Sequence, residues 1–243
     1  MKTFFTLITV AFLSLTSIAQ ETGAISISQD MMTSFKMNMD LSDLKVQLAE
    51  IPFEKLVSEL DNDAKKQAFW TNIYVIYSQQ LIAETGTCNK KCKNKKVITV
   101  ANRIYSLNNI LYNILLSSKS KITRIKKPFP SKWERLLRVK EVDGRVLLAI
   151  DSHESIANAV TYYEHEKMDP QLNKVATIYF TSFASYDSIK NEIYLPTWLK
   201  NFKREFGKKS GIITTLKNLN IVPSNVAEAK VIYIDKTPLV NLK

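Results

Sequence analysis

Imidazole and thiol, the side chains best suited to act as base, nucleophile or zinc ligand near neutral pH, are few: two histidines and two cysteines occur in 243 residues. Ser152-His153-Glu154 sets a hydroxyl, an imidazole and a carboxylate side by side, the groups of a hydrolytic triad. Consecutive side chains diverge on a helix or a strand, so adjacency cannot join them. Ser152 would need His165 or a distant acid, and no glycine elbow surrounds it. Its surroundings suit a helix N-cap instead, and Ser152 with His153 is kept as the alternative catalytic pair. His153, Glu154 and His165 match no standard zinc-ligand spacing, so neither a metal nor a cofactor is expected. Glu164 and Glu166 beside His165 read as a solvated helix end.

Cys88 and Cys92 lie within GTCNKKCKNKK, residues 86–96, a loop tip with Lys90, Lys91, Lys93, Lys95 and Lys96. Zinc would need further ligands nearby, and no histidine stands within fifty residues of them. Outside the cytoplasm two close thiols more often pair than stay free. The reading is a disulfide that pins a basic loop.

An oxidising compartment is what the start of the chain predicts. Lys2 precedes an apolar run from Phe4 to Ile18, and Ser17-Ile18-Ala19 offers small residues where a signal peptidase reads. The run is short for a bilayer crossing of about 20 residues. No cysteine follows it, which argues against a lipid-anchored product. Residues 1–19 therefore read as a signal peptide, and the protein as periplasmic or secreted. The formal net charge of +11 favours anionic partners. Acidic glycans, lipid head groups or an envelope protein fit an exported chain. Nucleic acid is not expected, because no recognised binding motif accompanies the basic runs. Residues 119–140 are the second such run, with Phe129 and Trp133 set among the cations.

At 45% hydrophobic the chain suits a packed globule. Residues 20–40 read as a flexible, polar lead-in and 41–243 as one domain. Apolar residues at helical spacing mark helices over 41–50 and 53–60, separated by Pro52. A third helix, capped by Asp61 or Asp63, runs to about residue 83. A short strand follows at 97–101, and Ser106 begins a helix that gathers Leu107, Ile110, Leu111, Ile114 and Leu115 on one face. Asp143-Gly144 marks a turn, residues 145–150 (RVLLAI) a buried strand, and 152–163 a helix. Asp169-Pro170 opens a helix to about 183. A hairpin round Lys190-Asn191, helices from Pro196 to Gly207 and over 209–219, and a strand at 231–234 close the chain. The expected architecture is α+β, a helix-rich single domain around one buried helix with a small, mainly antiparallel sheet.

That buried helix is the one from Asp63. Ala68, Phe69 and Ile76 flank Asn72, while Trp70, Tyr74, Tyr77 and Leu81 occupy the far side, an apolar arc too wide for a surface helix. An unbonded amide at Asn72 would cost on the order of 1–3 kcal/mol. Asn72 must therefore find partners, and the backbone of a neighbouring loop is the expected one.

Phe69-Trp70-Thr71-Asn72-Ile73-Tyr74 resembles the FW-x-N-x-YN hallmark of the DUF547 family. Tyr105 to Ile110 (YSLNNI) is similar to the family's YSL-D-D-I element, Asp143 to Asp151 (DGRVLLAID) to its DPRIHFALN stretch, and Leu195-Pro196 through Gly207 to its LP…W-Y…DFG closing helix. The matches run in order from about residue 60 to 220. The polar residues do not follow. Leu147 stands where the family pattern has a histidine, Ser152 and Ala157 where it has two cysteines, and Leu111, Tyr112 and Leu116 where it has Glu, His and Arg. Val75 replaces the asparagine that closes the hallmark.

A cysteine beside a histidine is the pair a thiol nucleophile needs. The resemblance thus implies a cysteine-hydrolase or transglutaminase-like site in the family. Here apolar groups refill it, each buried Leu contributing roughly 1.5–3 kcal/mol to the core. The expectation is a pseudoenzyme.

Overall fold

A computed structural model describes residues 23–118, 129–150, 156 and 158–235. The first elements are helices α1 (Ala24–Lys36), α2 (Ser42–Glu50), α3 (Phe53–Glu59) and α4 (Asp63–Thr85). A short helix α5 (Lys90–Asn94) leads into strands β1 (Ile98–Val100) and β2 (Arg103–Tyr105), then a π-helix over Asn109–Leu115. Short helices α6 (Lys132–Leu137) and α7 (Val146–Ala149) precede a 3-10 turn at His165–Lys167 and the long α8 (Met168–Phe183). Strands β3 (Ser185–Asp187) and β4 (Glu192–Pro196), helices α9 (Trp198–Phe202) and α10 (Lys208–Asn218), and β5 (Lys230–Ile234) complete the described chain. This is a helix-rich α+β protein. β1 pairs antiparallel with β2. β4 lies between β3, antiparallel, and β5, parallel.

One continuous core runs from α1 to the approach to β5, and α4 is its axis. Every residue from Ala68 to Ser78 is buried, about three turns with no solvated face. Asn62 begins the helix, its side chain accepting from Lys65 N at 3.0 Å, so the cap is the residue between the two expected aspartates. Gly86 ends it at φ +76°, a conformation a Cβ would strain. Asp63 is left free to accept from the backbone of Lys140 and Glu141 at 2.8–2.9 Å.

Residues 20–40, expected as a flexible lead-in, instead contain α1, which lies along α4. Ala24, Ile27, Ser28, Met31 and Met32 are all buried. Small and hydroxyl side chains hide the helical period here. The N-terminal amides of α1 are satisfied from far along the chain, Ala24 N and Ile25 N donating to the Glu59 carboxylate at 2.7 and 2.9 Å.

Residues 145–150 form the short helix α7, not a strand; five apolar residues in a row fit either state. Arg145 anchors its start through Asp143 (2.6 Å) and Asp169 (2.8 Å). Asp169 thus serves Arg145 and makes no cap hydrogen bond for α8, which begins at Met168. The helix expected over 152–163 falls partly outside the described residues. Its described end, 158–163, is irregular chain. The helix after Ser106 becomes the π-helix, with Ile110 to Leu115 all buried. The expected Pro196–Gly207 helix is confined to α9. The signal segment 1–19 and the basic stretch 119–128 lie outside the described residues.

Four rings join these elements. Phe69 meets Trp70 edge-on at 4.9 Å, Trp70 meets Tyr105 at 5.3 Å, and Tyr105 meets Trp133 at 5.4 Å. The Tyr105 hydroxyl is buried there without a hydrogen-bond partner among the described residues. Burial pushes its pKa well above the usual phenol value, as it does for Tyr163. The unfolded chain ionises these phenols from about pH 10 while the fold resists. Stability is therefore untouched below that pH and falls as pH rises beyond it. Tyr105→Phe is expected to cost nothing at neutral pH and to soften the alkaline loss, read from urea midpoints at about pH 7.5 and about pH 10.5.

Candidate functional site

The hallmark residues of α4 divide between the core and a pocket. Asn72, fully buried, donates to Ser28 Oγ at 3.3 Å and to the Tyr163 carbonyl at 3.1 Å, and accepts from Tyr163 N at 2.8 Å. Ser28 Oγ in turn donates to the Ile25 carbonyl at 2.8 Å. One amide therefore holds α1 and an irregular segment against the central helix. It is a structural clamp with no spare hydrogen for chemistry.

Tyr74, Ser78 and Ile82, a stripe with four-residue spacing along α4, form one wall of a partly open pocket of about 310 Å³. Leu111 comes from the π-helix, Leu147 and Ile150 from α7 and the residue after it, Trp198 and Phe202 from α9, and Cys88 and Lys93 from the basic loop. Leu111 and Leu147, two positions that the resemblance sets against polar residues of the family pattern, thus line one pocket. Ser78 Oγ donates to the Val75 carbonyl at 3.0 Å, and Trp198 Nε1 to Tyr179 Oη at 2.6 Å. Leu195 and Pro196 fix the approach of α9. Leu195 is fully buried, Pro196 pairs with Ile234 of β5, and Thr197 N donates to the Ile234 carbonyl at 3.1 Å.

The basic loop over this pocket is braced on several sides. Cys88 and Cys92 are bonded, with Cα atoms 5.2 Å apart. Asn89 accepts from Lys91 N and Cys92 N at 2.9 and 3.2 Å, capping α5. Asn108 donates to Asn94 Oδ1 at 2.6 Å, tying α5 to the π-helix. That helix is itself set by a reciprocal cap in which Asn109 N donates to Ser106 Oγ and Ser106 N to Asn109 Oδ1. Lys90, Lys91, Lys93, Lys95 and Lys96 are all exposed, and only Lys93 lines the pocket.

Ser152, His153 and Ala157 lie outside the described residues. His165 is placed in the 3-10 turn, 2.9 Å from Glu166, and is not among the pocket-lining residues. Trp198 and Phe202 fall within the stretch similar to the family's closing helix, whereas Ser78 and Ile82 carry no motif that marks them as a site. Their signal is spacing, since residues four apart on a helix share one face.

The fold is thus that of a helix-rich α+β protein with an apolar pocket on its central helix. A model of a protein family of unknown function, DUF547, matches residues 57–180. The chain belongs to the DUF547 family. The match takes in the stretches around Asn72, Tyr105 and Leu147, while Trp198 and Phe202 lie beyond it. No curated protein and no solved structure matches the chain.

Removing the Asn72 amide strands both polar groups of Tyr163 in the core. Asn72→Ala is expected to lower unfolding free energy by roughly 3 kcal/mol, measured by urea denaturation. Ser28→Ala, which keeps the Tyr163 pair intact, should cost about 1 kcal/mol.

Proposed function

We propose that this protein is an exported, non-catalytic member of its family that binds an anionic ligand or partner. The observation that carries this reading is the composition of the pocket wall. Leu111 and Leu147 bring hydrocarbon where the family pattern has ionisable groups, and Lys93 brings a cation to the rim. A site for acid–base or thiol chemistry needs groups that hold and move protons. Leucine side chains instead exclude water and fill volume. The Cys88–Cys92 bond suits an oxidising compartment and supports export. The five exposed lysines of the loop supply the charge an anionic glycan, head group or envelope protein would meet.

Two measurements test this. A serine-directed fluorophosphonate is expected to leave the protein unlabelled; labelling that disappears in Ser152→Ala would mean a divergent hydrolase and end the non-catalytic reading. Changing Lys90, Lys91, Lys93, Lys95 and Lys96 to glutamine is expected to abolish retention on heparin or on vesicles containing anionic lipid at about 0.1 M salt. Unchanged retention would remove the basic loop from the interface.

A further inference from the structure

We infer that the pocket beside α4 takes a single-chain amphiphile: one apolar chain in the pocket, one anionic head at Lys93. This deepens the proposed function and rests on its reading of the site as a place of binding. Ile82, Leu111, Leu147, Ile150, Trp198 and Phe202 present hydrocarbon or ring surface from four separate stretches of the chain. Two of the wall's polar hydrogens are in use: Ser78 Oγ donates to its own helix and Trp198 Nε1 to Tyr179. A sugar ring buried here would leave its hydroxyls short of partners, which disfavours a glycan inside the pocket. An alkyl chain has no such requirement.

The pocket, about 310 Å³, lies at the floor of the range for small-molecule sites. That size suits one chain and not the two of a bilayer phospholipid. Among the described residues that line it, Lys93 is the one cation, and it fixes where the charge of the ligand must sit. A carboxylate or a phosphate monoester at the end of the chain satisfies it, with the chain directed inward toward Leu147. The site is also preformed. The disulfide and the Asn89 cap set the loop's own shape and the Asn94–Asn108 bond ties α5 to the π-helix before any ligand arrives, so binding need not order the loop.

The test uses the disulfide-bonded protein and three probes below their micelle concentrations: sodium dodecanoate, monododecyl phosphate and dodecanol. Saturable binding by calorimetry is expected for at least one anion, with dodecanol about tenfold weaker or more. Whichever anion binds tighter identifies the head as a free acid or as a phosphate of the kind a lysolipid carries. Lys93→Gln should bring the preferred anion down to the level of dodecanol. Leu147→Trp, which fills the pocket, should abolish binding while the far-ultraviolet dichroism is kept. If that variant fails to fold, 11-bromoundecanoate replaces it: indole quenching is expected in the unmodified protein and lost in Trp198→Phe. Equal affinity for dodecanol and both anions, binding that survives a folded Leu147→Trp, or bromo-acid quenching that persists in Trp198→Phe would overturn the assignment. Heparin retention without binding of either anion would likewise refute it and leave the broader anion-binding reading standing. Phosphonate labelling at Ser152 would strike that broader reading instead.

Discussion

The segment 162–164 is irregular chain that pairs with no strand, and the structure depends on how its backbone is satisfied. Tyr163 turns both of its groups to the Asn72 amide. The Tyr162 carbonyl accepts from Gln171 Nε2 at 2.9 Å, and Glu164 N donates to Gln171 Oε1 at 2.8 Å. Two side-chain amides, one from α4 and one from α8, thus stand in for the two strands a sheet would supply. Lys36, at the end of α1, donates to the Val160 carbonyl just upstream. Buried backbone must find partners somewhere, and here the helices provide them.

The same logic recurs along α4. Asp63 accepts from two backbone amides at residues 140 and 141, and Lys66, buried and with its pKa lowered by that burial, donates to the Arg138 carbonyl at 3.0 Å. Three polar side chains of this engulfed helix, Asp63, Lys66 and Asn72, are thus aimed at connecting segments that lack regular structure. Where the side chain is buried, as at Asn72 and Lys66, the bond is stronger in the low-dielectric interior and costlier to leave unmade. The central helix therefore orders the loops around it as well as the core.

This explains what was legible in the sequence. The engulfed helix, the burial of Asn72 and its need for a loop-backbone partner follow from apolar residues on every face. The hairpin at Lys190-Asn191 and the closing strand follow from local turn and strand signals. What resisted reading depends on distant partners. Helix α1 looks like a polar lead-in because Ser28 occupies a core position, bonded to Asn72, and because its N-terminal cap comes from Glu59, 35 residues ahead. Helix α7 looks like a strand because nothing local separates a short buried helix from a short buried strand. Its start is set by Asp169, far downstream. The family resemblance placed Leu111 and Leu147 at corresponding functional positions, yet only the fold reveals that they share a wall with Trp198 and Phe202. Spacing along one helix cannot announce a neighbour on another.

The basic loop joins this scaffold to the pocket, and its construction bears on what it is for. A disulfide between Cys88 and Cys92 closes so small a loop that its chain-entropy contribution stays below about 3 kcal/mol. The lysines around it are exposed, and at physiological salt their mutual repulsion is screened over about 8 Å. Neither effect weighs heavily on the stability of the whole fold. What these bonds do change is freedom: the disulfide and the Asn89 cap fix the loop's own shape, and α5 cannot swing away from the π-helix without breaking the Asn94–Asn108 bond. The loop is thus an ordered rim, with Cys88 in the pocket wall, Lys93 at its edge and the remaining lysines turned to solvent. Apolar depth and fixed peripheral charge are what an amphiphilic anion requires, and α4 supplies the depth while the braced loop supplies the charge.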